Sequence, residues 1–463
     1  MSRVALIKCF PPSGSFNVLM SPPIGLLYLT SVLKKSGHQV IVIDARFKHV
    51  DRGWITDKLR GFGAEYVGLS AMISEKDSFH DLTRSLKQLP GVEAVIAGGP
   101  YPTVLPGWVM EDDNVDALVL GEGEIVLPRL IADMEKIKRT AKNDIPGTIV
   151  RSGKELVFGG DRELISDLDQ LPFPSWESVD LDWYRRFKRV GCPPRGRYVT
   201  MITSRGCPYG CKFCHNLFGK KVRARSPENV VEEIILGRDR FRANEIEIMD
   251  DIFNFDRERV LRICELLQRK KAGMKINFPN GLRGDLLDEE QLIQMRKAGT
   301  YWIIFGVETA SPRLQKSLGK NVDFERLEAA VKTCRRLGII THGTFILGFP
   351  TETREEMEKT IAASTRMGFD FASFFQLIPF PGSKLESELS GSGKENKLLL
   401  GKLDYYGKEV NVSGIPHQEL LSYRRRAYLR FYLRRILRIL FRGHWRKVAV
   451  GYGLGQFWHR AIH

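Results

Sequence analysis

Cys207-Pro-Tyr-Gly-Cys211-Lys-Phe-Cys214 sets three thiols in a C-x-x-x-C-x-x-C spacing, directly after the strand-like run Tyr198-Val-Thr-Met-Ile-Thr203. Cysteines this close can converge on one face of an iron–sulfur cubane, and a cluster that needs four ligands is then left with one iron open. An open iron can bind a small molecule. Pro208 and Gly210 suit a tight loop, Gly206 lets the backbone turn before the first thiol, and Phe213 is placed to shield a cluster from water. Zinc sites usually draw four ligands from paired C-x-x-C knuckles, and the chain has no second pair. On the residues alone, zinc and a disulfide knot stand as the alternatives.

With this spacing and an aromatic residue before the last cysteine, the sequence resembles the radical S-adenosylmethionine enzymes. The resemblance implies a 4Fe-4S cluster on Cys207, Cys211 and Cys214, with the amino and carboxylate groups of S-adenosylmethionine chelating the open iron. It further implies an external electron donor such as flavodoxin or ferredoxin. Reduction then cleaves the sulfonium, and the 5′-deoxyadenosyl radical abstracts hydrogen from unactivated carbon. The cofactor carries that chemistry, while the protein supplies binding, orientation and a dry cavity.

Composition bounds the rest. A chain of 463 residues has room for two or three domains with real cores, and 43% hydrophobic with 27% charged residues is ordinary for a soluble globular protein. Of seven cysteines three are clustered, while Cys9, Cys192, Cys264 and Cys334 are scattered, a usage that fits a reducing cytosol. The opening MSRVALIKCFPPSG has too short an apolar run for a signal peptide, and no apolar stretch reaches the roughly twenty residues of a membrane span. The expected location is cytoplasmic. The net charge of +16 is uneven, because residues 420 to 463 hold eleven Lys or Arg and no Asp or Glu.

In the N-terminal third, the apolar runs Val4–Ile7, Val40–Ile43, Tyr66–Leu69, Ala94–Ala97 and Ala117–Leu120 alternate with amphipathic segments such as Leu26–Lys35 and Phe79–Leu89. That alternation predicts an α/β, doubly wound, flavodoxin- or Rossmann-like parallel sheet whose ligands gather at the carboxyl ends of the strands. Those ends carry Ser70-Ala-Met72, Gly98-Gly99-Pro100 and Gly121-Glu122-Gly-Glu124. Paired glycines let a backbone approach a bulky ligand, although a bare turn explains any one pair as well. Their order, with Pro22-Pro23-Ile-Gly25 in the first long loop, resembles the cobalamin-binding domain fused ahead of many radical S-adenosylmethionine enzymes. The resemblance implies cobalamin contacts at Ser70, Met72, Gly98, Gly99, Gly121 and Glu122. Cobalamin domains of the methionine-synthase type place a D-x-H-x-x-G loop after the first strand, and here that position reads Lys8-Cys-Phe-Pro-Pro-Ser-Gly14. No axial histidine stands there, as is often so in the fused enzymes. His38 and His49 are the nearest alternatives and read as surface or helix-end residues.

Residues 1–142 are thus expected to form the cobalamin-binding domain and 143–195 a linker, with a small hairpin over Gly147–Phe158 and an incidental Cys192. Residues 196–385 should form a partial (β/α)6 TIM-like barrel. Five further runs follow the strand before the cluster: Glu245–Met249, Lys275–Phe278, Trp302–Gly306, Gly343–Leu347 and Phe371–Leu377. Barrel chemistry lies at the carboxyl ends of the strands. By resemblance, Asp250 and Asp251 hold the methionine amino group, Arg283 its carboxylate, Glu308 the ribose hydroxyls, and Gly348 packs on adenine beside Phe213. Met249, Met295 and Met357 read as core.

Residues 386–463 change character. On a helical wheel over 423–442, Arg426, Arg430, Arg434, Arg435, Arg438 and Arg442 occupy one half and Leu429, Tyr432, Leu433, Ile436, Ile439 and Leu440 the other. Residues 423–446 suit peripheral contact with the inner face of an anionic membrane, a helix packed on the barrel, or, least well, nucleic acid. The whole pattern resembles cobalamin-dependent radical S-adenosylmethionine methyltransferases acting on a small-molecule or lipid substrate such as an isoprenoid. Radical cyclisation, oxidation or carbon–carbon coupling with the same cofactors is the second enzymatic reading, and a cobalamin- or redox-sensing binding protein the third.

Overall fold

The computed structural model describes residues 1–10, 21–47, 49–186, 196–214, 217–390 and 410–441, with side chains described to residue 435 of the last helix. The chain forms two compact units, one of residues 1–184 with 216–225 and one of 185–215 with 226–463.

The first unit is built on β1 (Arg3–Lys8), β2 (Gln39–Asp44), β3 (Tyr66–Ser70), β4 (Ala94–Gly98), β5 (Ala117–Val119), β6 (Thr148–Ser152) and β7 (Glu155–Phe158), in the spatial order β2-β1-β3-β4-β5-β6-β7. The first five run parallel. Alternate residues of each strand feed opposite cores, so both faces must be covered. Ala5, Ile7, Val67, Leu69, Val95 and Ala97 meet Ile55, Leu59, Phe79 and Leu82 on one face. Val4, Leu6, Tyr66, Ala94 and Ile96 meet Leu26, Leu33, Leu127 and Leu130 on the other. The reversal of strand order between β1 and β3 opens a crevice at their carboxyl ends.

The stretch expected as a linker is largely part of this unit. The hairpin β6–β7 extends the sheet antiparallel from β5, Trp176 is buried, and the Tyr184 hydroxyl donates to Asp44 at 2.7 Å. Apolar side chains and paired polar groups hold these residues on the sheet, which a reading of turn residues alone could not foresee. Cys192 lies outside the described residues.

The second unit carries six parallel strands in sequential order: Tyr198–Met201, Glu245–Ile248, Lys275–Leu282, Thr300–Glu308, Ile340–Leu347 and Phe371–Gln376. Helices follow the strands and start at side-chain caps, with Asp256 accepting from Arg259 N, Asp323 from Arg326 N and Thr353 from Glu356 N. This is the expected partial barrel. Met295 and Met357 are buried core, as read.

The tail helix His417–Phe441 lies along the sixth strand, an edge of the sheet. The Tyr428 hydroxyl accepts from Phe374 N at 3.0 Å, Tyr432 donates to Ala372 O at 3.1 Å, and Arg435 donates to Gly368 O at 3.1 Å. Covering an edge in this way removes an open row of backbone groups. The expected division into an arginine half and an apolar half does not hold. Arg435 is buried with Tyr428, Phe431 and Tyr432, whereas Leu429 and Leu433 are 42% and 63% exposed. Rings with a polar tip can bury their area and still bond the strand, so they, not the leucines, choose the packed face. Arg426 and Arg430 pair with Glu358. This is the packed-helix reading of the tail, and no helix among the described residues is long and apolar enough to cross a membrane.

Candidate cluster and cofactor sites

The cysteine loop is braced along its length. Asp250, at the end of the second barrel strand, accepts from Thr203 N and Oγ1, each at 2.6 Å, and from Ser204 Oγ at 2.7 Å. Asp251 accepts from Gly206 N at 3.2 Å, where the backbone turns with φ of 91°. Further along, Lys212 N donates to Leu318 O at 2.9 Å and the Cys211 thiol lies 3.9 Å from Gly319 O. Gly319 has φ of 68°, and a Cβ there would come within 3.0 Å of Gly210 O, so only glycine permits this approach. Phe213 packs edge-on against Phe349 in an apolar cluster with Leu314 and Leu318. Cys207 and Cys211 stay partly accessible and Cys214 is exposed.

Charged groups converge beside this loop. The Lys320 ammonium pairs with Glu308 Oε1 at 3.2 Å, and the thiols of Cys211 and Cys214 lie within its electrostatic reach. Burial works most strongly against that ammonium, but Glu308 and Cys211 together outweigh it and hold Lys320 charged. Gly306 makes the room, since a Cβ there would meet Glu308 Oε1 at 2.7 Å and Lys320 Nζ at 3.1 Å. Glu308 itself has φ of 67°. A left-handed backbone at such a residue costs roughly 1–2 kcal/mol, and the ion pair helps to hold it. Three soft sulfur donors with cations nearby suit an iron–sulfur cluster, whose thiolates need compensating charge.

Several residues expected to meet S-adenosylmethionine are also engaged within the fold. Asp250 is buried and consumed by the strand end it pins; burial pushes its carboxyl up, against Arg259 and its hydrogen bonds. Arg283 is not left to meet a ligand carboxylate. It forks onto Asp285 at 3.1 and 2.6 Å, caps Lys320 O and Asn321 O, and lies 4.1 Å over the Tyr209 ring. Phe213 anchors the loop from below. Gly348, with φ of 90°, turns under Leu420 of the tail helix and donates to Glu352 at 2.7 Å. Asp251 and Glu308 stay at the loop. Lys320 and Tyr209 were not foreseen. Gly319-Lys320 reads as an ordinary helix stop, and nothing local to it points to a cluster.

In the first unit, Ser70, Gly98 and Gly99 meet at adjacent strand ends. Gly99 has φ of 87°, and a Cβ there would sit 2.8 Å from Ser70 Oγ. Gly121, with φ of 79°, donates to Thr103 Oγ1 at 2.9 Å, and Met72 is 40% exposed beyond β3. A Cβ at Gly121 would likewise meet the Arg162 side chain at 3.1 Å, so small residues let these strand ends pack closely where a doubly wound sheet gathers its ligands. Glu122 departs from expectation. It is buried, and accepts from Arg223 at 2.8 Å and Ile165 N at 2.7 Å, a clasp within the unit. No imidazole follows β1 among the described residues: Lys8 there pairs with Glu75, which also accepts from Met72 N. His38 precedes β2 and accepts from Ser2 N, and His49 packs between Phe47 and Trp183.

A doubly wound unit with small residues at its strand ends, in one chain with a parallel barrel that presents three thiols, defines a two-site enzyme architecture. Residues 201–363 match the model of the Radical SAM superfamily and residues 19–131 that of the B12 binding domain. An uncharacterized methyltransferase of Pyrococcus horikoshii is 30% identical over 444 residues, covering 94% of each chain. The cytidylyl-2-hydroxyethylphosphonate methyltransferase of Streptomyces wedmorensis is 30% identical over 446 residues, covering 85% of this chain and 82% of that one. In fold the chain is similar to the radical S-adenosylmethionine methyltransferase TsrM of Kitasatospora setae, with a TM-score of 0.67 at 21% identity, over 84% of this chain and 75% of that one. The chain belongs to the cobalamin-dependent radical S-adenosylmethionine enzymes and is methylase-like. Its cofactors are a 4Fe-4S cluster, S-adenosylmethionine and cobalamin.

Proposed function

We propose that the enzyme transfers a methyl group to an unactivated carbon of a small-molecule or lipid substrate, with Cys207, Cys211 and Cys214 holding the cluster. The observation that carries this reading is the presence in one chain of a braced three-thiol loop and a B12 binding domain whose strand ends at β3, β4 and β5 carry small residues. When bound, the cofactors supply a carbon-centred oxidant and a transferable methyl group. The protein's part is placement. Lys320, paired with Glu308 and near the thiols, takes the role of partner for the methionine carboxylate that the sequence suggested for Arg283. Asp251, fixed by Gly206 N, is the acceptor for the amino group. Ser70, Gly98, Gly99 and Gly121, at the strand ends of the B12 binding domain, take the corrin and its tail.

The test is incubation of anaerobically reconstituted, cobalamin-loaded protein with S-adenosylmethionine deuterated in its methyl group. Label in the product supports methyl transfer; an unlabelled product means cyclisation, oxidation or coupling. Serine at any one of the three cysteines is expected to abolish both the iron absorbance and cleavage of S-adenosylmethionine.

A further inference from the structure

Arg283 lies at the end of the third barrel strand, yet every bond of its side chain runs sideways to neighbouring segments. Nε and Nη2 grip Asp285, Nη1 donates to Lys320 O at 2.9 Å, and Nη2 reaches Asn321 O at 3.0 Å. Its backbone is held as well, since Asn254 accepts from Arg283 N and donates to Arg283 O at 2.8 Å. The guanidinium plane is therefore immobilised, and Tyr209 rests against it at 4.1 Å, well inside the roughly 6 Å reach of a cation–π contact. Tyr209 stands midway between Cys207 and Cys211.

We infer that Arg283 and Tyr209 form a bracket that fixes the shape of the cluster loop, and with it the affinity of the open cluster corner for S-adenosylmethionine. The inference rests on the reading of Cys207, Cys211 and Cys214 as cluster ligands. Arg283 is a positioning residue: one planar fork ties the loop, through Tyr209, to the turn that carries Lys320. A lysine keeps the charge but has neither the fork nor the flat face, so it cannot hold Asp285, two carbonyls and a ring together. A ring without a hydroxyl is enough on the other side, because the contact is to the ring face.

The experiment uses full-length, anaerobically reconstituted protein carrying Tyr209→Phe, Tyr209→Leu, Arg283→Lys, Arg283→Met, or Tyr209→Leu with Arg283→Met. Iron content, the electron paramagnetic resonance spectrum of the reduced cluster, and its change on titration with S-adenosylmethionine are measured beside the thermal midpoint. Tyr209→Phe should match wild type. Tyr209→Leu, Arg283→Lys and Arg283→Met should retain iron, broaden the spectrum and weaken S-adenosylmethionine binding about fivefold, the scale of one lost cation–π contact that is partly open to water. The double variant should be no worse than the worse single one. Wild-type spectrum and affinity in an iron-loaded Arg283→Met protein, or losses that multiply in the double variant, overturn the bracket. If Arg283→Met does not fold, Tyr209→Leu decides: unchanged affinity there overturns it equally. Failure of the wild-type chain to bind iron strikes the cysteine assignment instead.

Discussion

The two candidate sites are made in opposite ways. In the first unit the site is built of small residues, Ser70, Gly98, Gly99 and Gly121, packed together at neighbouring strand ends. In the second it consists of thiols, Asp251, Glu308, Lys320 and the Arg283 fork, most of them already engaged within the protein. Small residues at a strand end have few reasons to be there except room or a turn. A charged residue has many, because a buried charge must be paired wherever it falls.

Breaking the clasp of the first unit is the severest test of that contrast. Arg223→Met leaves the Glu122 carboxylate buried without its guanidinium, and should destabilise the unit by about 3–5 kcal/mol. Chemical denaturation measures this; a variant as stable as wild type would return Glu122 to the list of ligand contacts. In the second unit, burial raises the Glu352 carboxyl to about 7 from 4.5, although Gly348 N and Phe349 N donate to it. A group whose folded value is raised favours the folded state when protonated. That stability is complete below about pH 4.5 and is lost as pH rises through 7. The share of the stability that Glu352 contributes should fall by about 3 kcal/mol over the interval. Glu352→Gln, which keeps a carbonyl oxygen for the two N–H groups, should remove the slope in denaturation curves recorded between those pH values.

The smallest change in stability is expected at the small-residue strand ends of the first unit. Gly99→Ala costs roughly 1–2 kcal/mol of backbone strain and pushes a methyl group toward Ser70 Oγ. Its larger effect should be on loading, read as the cobalamin absorbance of purified protein. Full loading at unchanged affinity would place the corrin elsewhere.

Much of the fold was legible in the residues. The five runs of the first unit and the six of the barrel are the observed strands, because an apolar run bounded by turn residues has few other fates. Residues 143–184 were not legible as part of the first sheet, since β6 and β7 carry little periodicity and are held by pairing to β5. The tail helix was read in existence but not in facing. A wheel sorts residues by polarity, whereas packing sorted them by fit, burying Arg435 and exposing Leu433.

The sequence by itself determined the chemistry of the cluster loop and the alternation that makes both sheets, since thiol spacing and hydrophobic period are local properties that no distant contact rewrites. Only the tertiary structure decided which charges are left to meet a ligand. Arg283, Asp250 and Glu122 find partners two to a hundred and one positions away along the chain, and a charge is spent or available according to those neighbours, not its own identity.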